Sequence, residues 1–125
     1  MKAWSKNWIR SKNPRKQRKY IQDIPLHLVR KLMSVRLTKD LKAKYGKRNV
    51  PIRKGDTIKV VVGEHRGKVS KVTRISLRRR EVYVDGVFIA KGDGTKLPKP
   101  LKSCNLMIME LDLDDKRRKE LLERK

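Results

Sequence analysis

Two histidines, one cysteine and a short acidic run are all that this chain offers to catalysis or metal binding. His27 and His65 share no HxxxH spacing, and Cys104 has no second cysteine, so no thiolate zinc site or intramolecular disulfide can form. A small buried hydrophobe is the expected role of Cys104. Asp112, Asp114 and Asp115 could hold Mg²⁺, but they open a helical tail, where carboxylates at the positive end of the helix dipole explain them more economically. No GxxxxGK[ST] stretch occurs, and "KGDGTK" reads as a turn rather than a phosphate loop. No catalytic residue, cofactor or metal is predicted.

What remains is the chemistry of phosphate contact. The chain has 36 Lys and Arg against 13 Asp and Glu, a net charge of +23 and a pI near 10.7. Such self-repulsion opposes folding in isolation and is relieved by a polyanion, of which a nucleic acid is the obvious choice. The excess is uneven: residues 1–48 hold 16 of the cations against Asp23 and Asp40 alone. Candidate nucleic-acid contacts follow from the clusters. Lys12, Arg15, Lys16, Arg18 and Lys19 crowd around Pro14, and Arg30 and Lys31 come next. His65, Arg66, Lys68 and Lys71 lie in and after a glycine-bounded loop, and Arg78, Arg79 and Arg80 sit between two strands. Consecutive arginines at a turn fan outward and offer phosphate the fork geometry that lysine lacks; a merely solvated turn is the competing reading. Trp4 and Trp8 stand in the same basic arm, four residues apart. That spacing fits base stacking, contact with another protein, or a short helix folded back on the domain.

These residues need elements to position them. With 37% hydrophobic and 39% charged residues in 125, one thin core is available. Residues 1–22 have almost no apolar periodicity and are predicted to be an arm, extended or disordered until bound, with Pro14 interrupting it. Residues 23–49 read as short helices: "PLHLVRKLMSV" with Pro25 in its first turn, then "TKDLKAKY" capped by Thr38 and stopped by Gly46.

Residues 50–111 switch to strand period, with Ile58, Val60 and Val62 on one face. Val69, Val72 and Ile75 recur at an interval of three, which no flat strand sends to one face, so a bulge or bend is predicted there. "EVYV", "VFIA" and "NLMIMEL" complete about five short strands, a pattern that suits a small barrel. Residues 112–125 are predicted as a closing helix with Asp112 as N-cap and Arg124 and Lys125 at its end. The fold class is thus mainly β, a small barrel with a basic N-terminal arm, short N-terminal helices and a C-terminal helix. No run of 18 apolar residues exists, and "MKAWSKNWIRSKNPRKQRK" lacks a secretory h-region, so the chain reads as cytoplasmic with no membrane partner. A mitochondrial presequence is the weaker reading, for want of a sustained amphipathic pattern.

"VVVGEHRGKV" joins two strands through a loop bounded by Gly63 and Gly67, where positive φ is tolerated and Glu64, His65 and Arg66 project. The block "RKGDTIKVVVGEHRGKVSKVTRISLR" resembles the KOW motif of ribosomal proteins and of transcription elongation factors such as NusG, with Gly67 at the hallmark glycine and Ser70 where a glycine is frequent. "SKNPRKQRKY", "PLHLVRKLMSVRLTKDLKAKYGKRNVPIRKGD" and "KPLKSCNLMIMELDLDDKRRKELLERK" resemble the archaeal and eukaryotic branch of the large-subunit ribosomal protein "L twenty-four" family, from about Ser11 onward. The resemblance implies an SH3-like KOW barrel, bound to large-subunit ribosomal RNA near its 5′ domain by the polypeptide exit tunnel. It also implies neighbouring ribosomal proteins as partners, a role in subunit assembly and no small-molecule substrate. An elongation factor is the alternative, but such proteins add a separate α/β domain, for which the residues before Val50 are too few and too basic. An RNA-modifying enzyme is disfavoured by the missing catalytic constellation.

Overall fold

The computed structural model describes residues 4, 5, 7, 8 and 11–124. In chain order the elements are α1 (Pro14–Asp23), α2 (Leu26–Leu32), β1 (Ser34–Leu37), α3 (Lys39–Tyr45), β2 (Asn49–Pro51), β3 (Thr57–Val60), β4 (Val69–Ser76), β5 (Glu81–Val84), β6 (Phe88–Ala90), β7 (Lys96–Pro98), β8 (Leu106–Glu110) and α4 (Lys116–Glu123). Six strands form one sheet in the order β2-β1-β8-β3-β4-β5, while β6 and β7 make a separate hairpin. Among the described residues β2 and β5 share no ladder, so this small SH3-like KOW fold is a bent, open sheet and not the closed ring that "barrel" implies.

The core is aliphatic. Ile58, Val60, Val72, Val82, Val84, Val87, Leu106 and Ile108 are each at most 2% exposed. Alternation places them: Ile58 and Val60 point inward from β3, Val82 and Val84 from β5, Leu106 and Ile108 from β8. The predicted third member of the β3 face, Val62, is 56% exposed, because β3 ends at Val60 and the chain has already turned. The predicted bend in β4 is present as a register shift between Val72 and Arg74. Val72 is buried, Val69 exposed and Ile75 half-buried.

Several expectations are corrected. The arm is not extended throughout: residues 14–23 form α1. Pro14 starts it instead of interrupting it, since a proline at the first helical position loses no hydrogen bond. The Asn13 side chain caps the helix, accepting from Arg15 N–H at 3.0 Å. Ile24, which precedes Pro25, is extended and ends it. Second, "PLHLVRKLMSV" is not one helix. It stops at Leu32, and "SVRL" becomes β1, sending Val35 and Leu37 into the core and pairing in parallel with β8 and antiparallel with β2. Third, the turn "KGDGTK" runs directly into a strand that was not among those expected, β7, which zips onto β6 from Phe88↔Pro98 to Ala90↔Lys96. Cys104, expected to be buried, is exposed in a single 3-10 turn.

α3 forms as predicted, with Gly46 left-handed at its C-cap, although the Thr38 side chain makes no capping hydrogen bond. α4 begins later than predicted, with Asp115 as N-cap accepting from Arg117 N–H at 2.9 Å. Asp112 instead accepts from Asp114 N–H at 3.2 Å. Arg124 is the C-cap of α4, and Lys125 lies outside the described residues.

One buried ion pair ties α4 to the sheet. Asp56 is 0% and Arg118 4% exposed. The Asp56 carboxylate accepts from Arg118 Nη1 at 2.5 Å and Nη2 at 2.7 Å, from Arg53 N–H at 2.8 Å and from Asp112 N–H at 3.0 Å. Two backbone amides and the two terminal guanidinium nitrogens thus compensate its removal from water. Arg118 also donates to the Asp112 carbonyl. Gly55, at φ +92°, permits the approach, because a Cβ there would collide with the Asp112 carboxylate.

Candidate nucleic-acid interface

Folding as a helix gives the arm a purpose that extension would not. At 3.6 residues per turn, Gln17, Tyr20 and Ile21 fall on one side of α1, and Arg15, Lys16, Arg18 and Lys19 fall on the other. The burial follows suit: Tyr20 and Ile21 are half-buried, the four cations exposed, and Lys12 exposed just before the helix. Trp8 stacks on Tyr20 with ring centroids 4.5 Å apart, and Trp4 tilts against the same ring at 5.5 Å. Trp4 and Tyr20 also pack on the core cluster. The indoles therefore fold the arm back onto the domain, and residues 4, 5, 7 and 8 do so without helix.

The loop between β3 and β4 is closed by backbone bonds. Gly67 N–H donates to Val60 C=O at 2.8 Å, Val60 N–H to Lys68 C=O at 2.9 Å, and Arg66 N–H to Gly63 C=O at 3.1 Å. Gly63 and Gly67 have φ of +111° and +89°, and a Cβ at either would meet nothing within 4 Å. Backbone conformation, not space, demands glycine there. Arg66 projects into solvent and His65 is half-buried. Glu64 is paired with Lys99 at the foot of the β6–β7 hairpin, and that hydrogen bond and charge, with His65 adding to them, hold its carboxyl below the ordinary range. The Lys68 ammonium donates to the Gly86 carbonyl and Ser70 Oγ to the Asp85 carbonyl at 2.8 Å, so both also brace β4 against the β5–β6 turn. Lys71 is exposed.

Arg78, Arg79 and Arg80 form the β4–β5 turn, all exposed, with Arg80 at φ +57°. This turn and the glycine loop sit at opposite ends of β4, which at roughly 3.3 Å per residue separates them by about 25 Å. The cations thus form no single patch, but the two ends of one rigid strand and the face of α1. Arg30 comes close to the β4–β5 end: it shares a cleft with Arg53, Lys54, Ile75 and Leu77. Arg30 also lines a second cleft together with Lys31, Lys47 and Leu121. Among the described residues only three ion pairs form, engaging Arg53, Lys99 and Arg118. Among the described residues the other cations have no carboxylate partner.

The residues that sequence reasoning missed are Asp56, Arg118 and Lys99. Local sequence does not set them apart: Asp56 ends a "KGD" run and Arg118 lies within the charged "DDKRRK" stretch. A lone acid directly preceding the alternating strand was the available signal. The acidic run holds no metal cluster: among the described residues no group of three His, Cys, Asp or Glu is placed to bind one. Asp115 is committed to its cap and to Arg53, whose guanidinium holds the carboxyl below its usual range.

A small bent sheet with a glycine loop at one end and helices at both chain ends fits the SH3-like KOW class of domain. Its relatives narrow the class. The family model for the ribosomal proteins called L26 in eukaryotes and "L twenty-four" in archaea matches residues 11–125. A "Large ribosomal subunit protein uL24" of Methanosphaera stadtmanae is 45% identical over 115 residues, covering 92% of this chain and 98% of that protein. One of the same name from Korarchaeum cryptofilum is 43% identical over 117 residues, 94% of this chain and 89% of that protein. The chain belongs to this family of eukaryotic L26 and archaeal "L twenty-four" ribosomal proteins.

Proposed function

We propose that the protein is a structural constituent of the large ribosomal subunit, which binds ribosomal RNA of the 5′ domain beside the polypeptide exit tunnel and supports subunit assembly in the cytoplasm. The observation that carries this reading is the match over nearly the whole length to relatives bearing the large-subunit name. The cation arrangement supports it. α1 presents Arg15, Lys16, Arg18 and Lys19 to phosphates. The ends of β4, with Arg66, Lys71 and Arg78–Arg80, span a distance comparable to the width of an RNA helix. A-form RNA hides its base edges in a deep, narrow groove, so a protein that reads it by shape needs rigidly spaced cations more than a recognition helix.

The test is sedimentation of the native protein from cell extract at moderate salt. Co-sedimentation with large subunits, together with protection of 5′-domain RNA from nuclease, is the expected outcome. Co-purification with RNA polymerase and absence from subunits would overturn the reading.

A further inference from the structure

Between α2, β2 and α4 the surface closes into a pocket of about 380 Å³, away from the glycine loop. Val50, Pro51 and Leu122 supply apolar walls, Arg30, Lys31 and Lys47 add cationic side chains, with the Lys47 ammonium donating to the Leu121 carbonyl, His27 adds an imidazole, and among the described residues no acidic one lines it. Among the described residues no ion pair engages Arg30 or Lys31; the charges of Arg53 and Arg118, which also line the pocket, are already matched by Asp115 and Asp56. The neighbouring cleft of about 480 Å³ differs in the decisive respect. Asp112, Asp114 and Asp115 form part of its wall, and they repel a phosphate. The cleft beside the glycine loop contains Glu64.

We infer that the α2–β2–α4 pocket holds one unstacked nucleotide of the RNA, a subsite that rests on the RNA-binding reading above. A phosphate alone would have no use for apolar walls, and an apolar side chain would have no use for cations without carboxylate partners. A nucleotide uses both. Its phosphate meets Arg30 and Lys31 through charge-assisted hydrogen bonds, and its base lies against Pro51 and Leu121, with the flat side chains of His27 and Arg53 available for stacking. A base inside a duplex is sandwiched by its neighbours and cannot enter a pocket of this size, so the occupant comes from a bulge, loop or end. The site therefore adds selection for an unpaired position to the shape reading done by α1 and β4.

The experiment uses the full chain in assembled subunits. Leu121 is 52% exposed and lines the pocket, so Leu121→p-benzoylphenylalanine places a photoreactive group within reach of the bound base. Subunits carrying it are isolated and irradiated, and the adduct is mapped. A cross-link to one unpaired ribosomal nucleotide is expected, with a yield that falls about tenfold when Arg30→Ala and Lys31→Ala are added, since a charge-assisted hydrogen bond is worth at least that factor. A cross-link to a neighbouring protein or to base-paired RNA, or no adduct in subunits that contain the variant, overturns the inference. Should position 121 block assembly, the same probe at the exposed His27 gives the same readouts. Absence of the unmodified protein from large subunits would instead sink the ribosomal reading and this subsite with it.

Discussion

The bent sheet and the arm solve opposite problems with the same composition. From Ile24 to Leu122 the chain buries sixteen aliphatic and methionine side chains and one ion pair, and its loops are fixed by backbone bonds and positive-φ glycines. α1 buries no residue at all; it is held by Asn13 at its start and by Trp4, Trp8 and Tyr20 on its inner side. The sheet fixes positions and the arm carries charge. Where a core is thin, precision comes from a few buried contacts, and everything outside them is free to be cationic.

Asp56→Ala should strike the sheet side hardest. It leaves the Arg118 guanidinium buried without a counter-charge and orphans the amides of Arg53 and Asp112. Loss of one partner from a buried pair costs about 3–5 kcal/mol, a large share of a small domain's total stability. Urea unfolding reads this directly, and an unchanged midpoint would mean that α4 is not anchored as described. Gly67→Val comes next, at roughly 1–3 kcal/mol, because a β-branched residue is forced to φ near +89°. Gly67→Asn should cost less, since asparagine tolerates positive φ. Equal melting temperatures for all three proteins would remove the backbone argument.

Trp8→Ala tests the arm side. Removing a stacked pair should cost α1 about 0.5–1.5 kcal/mol of its docking and leave the melting of the sheet in place. Faster amide exchange confined to residues 14–23 is the expected signature; exchange that also quickens in β3, β4 and β8 would show that the two regions are one cooperative unit. The smallest effect lies at Glu64. Its carboxyl titrates below the ordinary range because of Lys99, so the link between loop and hairpin is complete above the ordinary carboxylate pKa and is lost as pH falls through the lowered one. Lys99→Ala should raise the Glu64 titration, followed by NMR, towards the usual range, with His65 still lowering it. A curve that does not move would place the cause elsewhere.

Much of the sheet side was legible because period speaks for itself: the alternation in β3, β5 and β8, the bend in β4 and the glycine pair each follow from spacing. β1 was not, since "SVRL" continues an apolar rhythm already helical, and only its pairing with β8 decides the matter. β7 was hidden for a similar reason, being exposed throughout and held by β6 alone. α1 was misread because its cations mask a helix whose inner face is a tyrosine and an isoleucine, and because Pro14 signals both an interruption and a first turn. The candidate contacts on α1 and the β4–β5 turn are exposed as charge clustering implied. That Lys68 braces the β5–β6 turn, and that Lys31 and Arg30 flank a pocket, depend on long-range packing that no local pattern encodes.

The division of labour itself is tested by the salt dependence of binding to large-subunit ribosomal RNA. Lys12, Arg15, Lys16, Arg18 and Lys19 would all be changed to Gln in the full-length chain, which keeps helix propensity and leaves the sheet untouched. If these five meet phosphates, each releases about 0.7–0.9 of a counterion, and the slope of log affinity against log salt becomes shallower by roughly 3.5–4.5, with the unfolding midpoint unchanged. A variant with the full slope of the parent would show that the arm is merely solvated and that the sheet alone contacts the RNA.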